Sequence, residues 1–241
     1  MTIWAILPAA GIGRRMGSST PKQYLLVNGV PVIALTLQRL AAVESIARIV
    51  VVLHPRDSHW EALEIAKQFL DRQPRIASTT GADERQESVL NGLRALDRLA
   101  QDDDWALVHD AVRPCVESAD IERLIGSLQS DAVGGLLATP VDNTLKQVDE
   151  SLRVTSTVDR SRYWNALTPQ MFRYGLLKAA MEKVVADKLA ITDEAAAMEL
   201  MGNRPKIVEG SKLNIKITHD ADLELAAMIL KRQATAEEVP Q

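Results

Sequence analysis

Near its N-terminus the chain reads Ile3-Trp4-Ala5-Ile6-Leu7-Pro8-Ala9-Ala10-Gly11-Ile12-Gly13-Arg14-Arg15-Met16-Gly17. A short apolar run gives way to a proline and a glycine-rich segment, which predicts a buried strand that ends in a loop. Small residues in such a loop let backbone N–H groups approach a ligand closely, and Arg14, Arg15 and the nearby Lys22 add positive charge. Backbone donors and cations together suit phosphate groups, since each charge-assisted hydrogen bond contributes about 1.5–3 kcal/mol.

Two familiar glycine motifs do not account for this loop. The dinucleotide-binding fingerprint is Gly-x-Gly-x-x-Gly, but after Gly11 and Gly13 the third glycine, Gly17, comes one residue late. A P-loop would end in Gly-Lys-Ser or Gly-Lys-Thr, and no such triplet closes the segment. The loop residues alone therefore leave two interpretations open, a phosphate-binding loop and an ordinary turn after a strand with arginines on the surface.

The rest of the chain alternates between apolar runs and amphipathic segments. We expect further strands near residues 48–53, 75–78, 105–109, 134–138, 206–209 and 214–217. We expect helices near 32–42, 118–129, 174–187, 192–201 and 219–232, and one that begins near Arg85. This alternation is typical of an α/β protein with a mostly parallel twisted sheet and helices on both faces.

The alternation is interrupted between about residues 142 and 160. Residues 144–148 and 152–155 flank the polar turn Asp149-Glu150-Ser151, which predicts a projecting β-hairpin arm. The length of 241 residues fits one domain of ordinary size. We therefore expect residues 1–241 to form a single domain, with this arm as an insertion.

Composition narrows the classes of function. The 28 basic and 32 acidic residues give a formal charge of −4, which lacks the positive field of a general nucleic-acid binder. The single cysteine, Cys115, rules out an internal disulfide and a Cys-based zinc site. No run of 18 apolar residues occurs, so we expect no membrane partner. These features predict a cytoplasmic protein.

Beyond the first loop and Pro21-Lys22-Gln23-Tyr24, six further blocks carry polar residues in a recognisable order. They are Asp83-Glu84-Arg85 with Ser88, His109-Asp110-Ala111 with Arg113-Pro114, Val158-Asp159-Arg160, Leu167-Thr168-Pro169-Gln170, Ile191-Thr192-Asp193-Glu194-Ala195, and Asn214-Ile215-Lys216 with Thr218. The seven ordered blocks resemble the 2-C-methyl-D-erythritol 4-phosphate cytidylyltransferase family. This resemblance implies a Rossmann-like nucleotidyltransferase fold and favours phosphate binding for the first loop.

The resemblance also implies a reaction. The phosphate of 2-C-methyl-D-erythritol 4-phosphate would attack the α-phosphorus of CTP, giving 4-diphosphocytidyl-2-C-methyl-D-erythritol and pyrophosphate in the non-mevalonate isoprenoid pathway. Mg²⁺ is the implied cofactor, bound mainly through the CTP phosphates with no direct protein ligand. A homodimer is implied as well, with the arm reaching the second subunit.

By the same resemblance, the site residues fall into three groups. The catalytic residues are Arg15 and Lys22, which stabilise the transition state, and Arg160 and Lys216, which position the alcohol phosphate. The nucleotide-binding residues are Pro8, Ala9, Ala10, Gly11, Gly13, Ala82, Asp83 and Ser88. The substrate contacts are Asp110, Arg113, Thr144 and Thr168. His109 and Cys115 are interpreted as packing residues.

Some of these residues also fit structural roles. Asp83 suits the N-cap of the helix that follows it, and Ser88 suits the interior of that helix. Asp110 suits an N-cap or a pair with Arg113, while Thr192 is expected to cap its own helix.

The chain departs from the family pattern at two positions. The family usually has glycine where this chain has Ala82, so a backbone that still reads the base must avoid positive φ there. The family commonly has aspartate where this chain has Asn143, so if that aspartate forms a salt bridge in relatives, the bridge is not expected here.

Three competing functions fit parts of the sequence. Ribitol 5-phosphate cytidylyltransferase shares the nucleotide half and differs in the second substrate. A dinucleotide-binding oxidoreductase is favoured only by the glycine loop, and the late Gly17 and clustered cations contradict it. A non-catalytic nucleotide sensor is disfavoured by the presence of both Arg15 and Lys22.

Overall fold

The computed structural model of the protein describes residues 1–11, 20–63 and 75–237. The strands are β1 (Ile3–Ala9), β2 (Leu26–Val27), β3 (Val30–Pro31), β4 (Ile46–Leu53), β5 (Ile76–Thr80), β6 (Trp105–Val108), β7 (Gly134–Pro140), β8 (Leu145–Val148), β9 (Val154–Val158), β10 (Trp164–Arg173) and β11 (Lys206–Glu209). The α-helices are α1 (Val32–Ala41), α2 (Arg85–Arg94), α3 (Ser118–Leu128), α4 (Tyr174–Ala186), α5 (Glu194–Leu200) and α6 (Asp220–Glu237). Short 3₁₀ helices cover Lys22–Tyr24 and Arg160–Arg162.

The main sheet has seven strands in the order β11-β7-β10-β6-β1-β4-β5. Its pairs are parallel except those of β10, which runs antiparallel to both β6 and β7. The predicted α/β architecture with a mostly parallel sheet is therefore confirmed.

One local prediction is wrong, and one strand of the main sheet was not predicted. Residues 214–217 are not a strand, because the N–H of Asn214 bonds to the carbonyl of Ser211 and that of Ile217 to Val112, away from any strand. Strand β10 was not predicted, and it contains Pro169, a residue that argues against a central strand. Its pairing with β7 shifts register between Ala166 and Gln170, which accommodates the proline.

Both faces of the sheet are covered. In β1, Leu7 belongs to a core cluster with Leu37 of α1 and Leu124 of α3. The neighbouring Ile6 belongs to a second cluster with Leu93 of α2. Because successive side chains of a strand point to opposite faces, the two clusters lie on opposite sides of the sheet, and the predicted two-sided cover is confirmed.

The predicted hairpin arm is confirmed as a separate two-stranded sheet of β8 and β9. Asp149 orders its turn by accepting hydrogen bonds from the backbone N–H groups of Ser151 and Arg153. The arm exposes the apolar side chains of Val148, Leu152 and Val154.

Among the described helices, none has both the length and the apolar composition needed to cross a membrane.

Candidate active site

A cavity of about 270 Å³ lies where β1, β5 and β6 end. The carboxyl ends of parallel strands are where α/β sheets bind ligands. The cavity is lined by Pro8, Ala9, Ala10, Gly11, Lys22, Gln23, Ala82, Asp83, Glu84, Arg85, Ser88, Asp110, Ala111, Val112 and Lys216. Residues predicted from four separate sequence blocks therefore meet in one place. These blocks are the first loop with Lys22, the 82–88 segment, the block of Asp110 and the block of Lys216.

The wall after β1 is held by a residue that the sequence reasoning did not assign. Gln23 is buried, and its Nε2 donates to the carbonyl oxygens of Ala9 (2.7 Å) and Gly11 (3.1 Å). Because Gln23 engages these two carbonyls, it fixes the backbone of the loop beside the cavity. Gly13 and Arg15, predicted for the same loop, lie outside the described residues.

Lys22 extends from the 3₁₀ helix to the cavity, and its Nζ donates to the carbonyl of Thr218 at 3.1 Å. Asp222, in the first turn of α6, accepts from the N–H and the hydroxyl of Thr218 and from the N–H of His219. The C-terminal helix thus anchors a backbone carbonyl that holds the lysine beside the cavity.

The opposite wall depends on Ser88. Its hydroxyl donates to the carbonyl of Ala82 (3.1 Å) and accepts from the N–H of the same residue (2.9 Å). The described residues other than glycine with positive φ are Asn28, Leu152 and Lys188. Ala82 therefore avoids positive φ, as its departure from the family pattern requires, and Ser88 does more than fill the interior of a helix.

The structural role considered for Asp83 is wrong. Glu84 occupies the N-cap position of α2, and Asp83 Oδ1 instead lies 3.3 Å from His54 Nε2. The N-cap expected at Thr192 is also wrong, because Asp193 caps α5 by accepting from the N–H of Ala196.

Asp110 is a buried carboxylate surrounded by cations. Its Oδ1 lies 3.2 Å from Arg85 Nη2, and its Oδ2 lies 2.9 Å from Lys216 Nζ and 3.4 Å from Arg113 Nε. Burial alone would raise the pKa of Asp110, but the charges of these three partners hold that pKa well below its ordinary value. The pairing with Arg113 considered from the sequence is therefore present, within a larger cluster.

Two members of this cluster were not assigned from the sequence. Arg85 meets the fully buried Glu194 through two contacts, Nη1 to Oε1 at 2.6 Å and Nη2 to Oε2 at 3.2 Å. The charge of Glu194 raises the pKa of Arg85. Both residues belong to the ordered blocks, but only the fold brings α2 and α5 together.

Thr168 and His109 form a hydrogen-bonded chain that begins at the backbone of Asp110. The hydroxyl of Thr168 accepts from the N–H of Asp110 at 3.1 Å and lies 3.0 Å from His109 Nδ1. Thr168 is buried and does not line the cavity. Its predicted contact with substrate stays a prediction, and the contact observed is with the site backbone.

Like Thr168, the predicted substrate residues Arg113, Thr144 and Arg160 do not line the cavity. Thr144 and Arg160 are exposed at the base of the arm, where a guanidinium nitrogen of Arg160 donates to the carbonyl of Asp142. The carboxylate of Asp142, next to Asn143, pairs with Lys212.

Comparison with known proteins shows the family of the chain. Residues 3–232 match the family model described as 2-C-methyl-D-erythritol 4-phosphate cytidylyltransferase. The enzyme of that name from Dechloromonas aromatica is 49% identical to the chain, and the match covers 95% of this chain and 97% of that protein. The one from Hahella chejuensis is 44% identical, and the match covers 98% of this chain and 96% of that protein. The crystal structure of the Francisella tularensis enzyme superposes with a TM-score of 0.79 at 35% identity, covering 95% of this chain and 100% of that one. The chain therefore belongs to the 2-C-methyl-D-erythritol 4-phosphate cytidylyltransferase family.

Proposed function

We propose that this protein transfers the cytidylyl group of CTP to 2-C-methyl-D-erythritol 4-phosphate. The products are 4-diphosphocytidyl-2-C-methyl-D-erythritol and pyrophosphate, in the non-mevalonate route to isoprenoids. Family membership over nearly the whole chain supports this activity. The observation that carries it is the cavity that Lys22, Ser88, Asp110 and Lys216 line together.

CTP is assigned to the side of the cavity formed by Pro8, Ala9, Ala10 and Gly11 and by Ala82, Asp83 and Ser88. Small side chains there leave the backbone accessible to a base and ribose. Cytosine differs from uracil in its N4 amine, which donates hydrogen bonds, so backbone carbonyls of this wall are suitable acceptors. Ser88 fixes the backbone of Ala82 and so sets the geometry of that readout.

The chemical step needs cations more than it needs a base. The attacking phosphate oxygen is already an anion, and negative charge accumulates around the α-phosphorus as pyrophosphate leaves. Fixed positive groups lower the energy of such a transition state. Lys22 and Arg15 are assigned this role, and Lys216 with Arg113 is assigned to the incoming alcohol phosphate, supported by the contacts of both with Asp110.

Mg²⁺ is proposed as the cofactor, held through the phosphates of CTP. Both oxygens of Asp110 face Arg85, Lys216 and Arg113, so this carboxylate is a poor direct ligand. The described residues hold no group of three or more His, Cys, Asp or Glu side chains arranged for a metal. When bound, Mg²⁺ neutralises phosphate charge, and the protein residues orient the two phosphates.

Arg160 and Thr144 are assigned to the active site of a second subunit. Both are exposed near the arm, and the apolar side chains of the arm offer a surface for a second copy of the chain. The proposed assembly is a homodimer in the cytoplasm, with each chain a single domain. The arm would then complete the partner's site.

The direct test is pyrophosphate release by purified protein with Mg²⁺ and the alcohol phosphate, comparing CTP with UTP, ATP and GTP. Release selective for CTP is expected. A rate with ribitol 5-phosphate equal to or above that with 2-C-methyl-D-erythritol 4-phosphate would contradict the substrate assignment. Absence of release with every nucleotide would favour a nucleotide sensor.

A further inference from the structure

Glu194 is a buried carboxylate with no role in the reaction proposed above. Its side chain is 0% exposed, and within the described residues its ion pair is with Arg85. Burying a carboxylate is costly unless it is paired with good geometry. A two-contact pair with an arginine fork meets that condition, because both carboxylate oxygens and two guanidinium nitrogens are used.

The position of Glu194 is fixed by its surroundings. It is the first residue of α5, and Gln170 of β10 holds the start of that helix by accepting from the N–H of Ala195 at 2.8 Å. Gln170 Nε2 also donates to Asp193 Oδ2 at 2.9 Å, while Asp193 caps the helix. The carboxylate is thus anchored to the central sheet.

Arg85 links Glu194 to Asp110 in the active site. Its Nη2 lies 3.2 Å from both Glu194 Oε2 and Asp110 Oδ1. With Oδ1 committed to Arg85, Asp110 presents Oδ2 to Lys216 and Arg113. Without the charge of Glu194, Arg85 would pair with both oxygens of Asp110, because a two-contact pair between arginine and carboxylate is the stronger arrangement. Lys216 would then lose its fixed partner.

We propose that Glu194 is a positioning residue, which acts through Arg85 and Asp110 to hold Lys216 in place for the alcohol phosphate. This inference rests on the proposed function. The cluster of three cations and two carboxylates also carries one net positive charge, which suits a site that must attract a phosphate.

The test is Glu194→Gln, which keeps the size of the side chain and removes its charge. At saturating CTP, we expect kcat/KM for 2-C-methyl-D-erythritol 4-phosphate to fall by about tenfold or more, while the CTP dissociation constant changes by less than about threefold. Glu199→Gln is the matched control, since Glu199 lies exposed near the other end of the same helix. It should retain wild-type kinetics.

A double-mutant cycle separates positioning from a general loss of structure. In a Lys216→Gln background, Glu194→Gln should cause less than about a twofold further loss, because the residue through which it acts is already gone. An undiminished loss in that background, or wild-type kinetics for Glu194→Gln alone, would overturn the inference.

A second substitution tests the inference even if the Glu194 variant does not fold. Arg85→Lys keeps the positive charge but lacks the fork, and we expect the same selective loss of kcat/KM in protein that still melts cooperatively above the assay temperature. Equal losses for CTP and the alcohol phosphate would assign the pair a structural role only. A wild-type protein without any activity would instead overturn the proposed function, and this inference with it.

Discussion

The hydroxyl oxygen of Thr168 lies 3.0 Å from Nδ1 of His109. On its other side, His109 Nε2 lies 3.1 Å from the carbonyl oxygen of Arg113. Since a carbonyl only accepts, Nε2 carries a proton. Burial lowers the pKa of His109, so the imidazole is neutral at pH 7 and Nδ1 accepts from the threonine hydroxyl. His109 thus ties Asp110, whose N–H bonds to Thr168, to the backbone of Arg113.

The first prediction concerns stability at acidic pH. Burial lowers the pKa of His109 to about 4, below the usual value of about 6.5 for the unfolded chain. Between these values the unfolded state binds more protons than the folded state, so the free energy of unfolding falls as pH falls. One pKa unit corresponds to about 1.4 kcal/mol, so this residue should contribute a loss of about 3 kcal/mol between pH 6.5 and 4.

Urea unfolding of the wild type and of His109→Gln across this range measures the effect. The variant stays neutral and should lack this part of the pH dependence, although it is less stable at pH 7. The pKa of Asp110 is depressed in the folded state. Its contribution to the free energy of unfolding is therefore lost as the pH falls from the ordinary pKa of an aspartate toward this lower value, mostly below the range that His109 affects. Parallel curves for the two proteins would contradict the assignment.

The second prediction concerns close packing at Gly81. A Cβ there would lie 2.8 Å from Ser88 Oγ and 2.9 Å from Ala10 Cβ. Gly81→Ala should therefore cost about 1–3 kcal/mol of stability and raise the CTP dissociation constant by about tenfold, because both neighbours belong to the nucleotide wall. The control is Gly126→Ala in α3, where the added Cβ meets nothing within 4 Å.

Calorimetric CTP titration and thermal unfolding distinguish the two glycine variants. Gly126→Ala should be neutral or slightly stabilising, since alanine suits a helix better than glycine. Wild-type CTP binding by Gly81→Ala would place the nucleotide elsewhere.

The fold was more predictable than the site. The apolar runs of β1 and β4 predict buried strands, because each strand of a parallel sheet that is covered on both faces needs apolar side chains on both sides. The turn at Asn28-Gly29 between β2 and β3 has positive φ at both residues and was a missed hairpin signal. Strand β10 was missed because Pro169 interrupts its pattern.

The contacts of the site depend on distances that sequence patterns do not carry. The blocks containing Arg85, Asp110 and Glu194 were recognised, yet their ion pairs join residues 25 and 109 positions apart. Gln23 belonged to a recognised block as well. Its partners are backbone carbonyls, which every residue carries, so no pattern of residue types could indicate this contact. Motifs therefore indicated which segments matter, and the fold was needed to show which side chains meet.

The third prediction concerns Lys22. If it stabilises charge that develops only in the transition state, Lys22→Ala should lower kcat by about 10²–10³-fold and leave the CTP dissociation constant within about threefold. Steady-state kinetics and calorimetry measure the two quantities. Lys183→Ala is the control, since Lys183 forms an exposed pair with Asp187 on the surface of α4. An equal loss of CTP affinity and turnover would make Lys22 a ground-state binding residue.

The fourth prediction concerns Arg160, which lies outside the cavity of its own chain. Arg160→Ala should lower kcat/KM for the alcohol phosphate by about tenfold or more and spare CTP binding, because the lost cation would face the second substrate. A structural effect would instead alter both substrates together. Kinetics alone do not tell whether the arginine serves its own chain or its partner.

Combining two impaired variants in one dimer answers that question. A Lys22→Ala subunit keeps Arg160, and an Arg160→Ala subunit keeps Lys22. If each arm completes the partner's site, a heterodimer of the two contains one intact site. Co-expressed, doubly tagged dimers should then regain about half of the wild-type kcat/KM for the alcohol phosphate. If Arg160 acts within its own chain, every site lacks one of the two cations, and the purified heterodimer should be no more active than its parents.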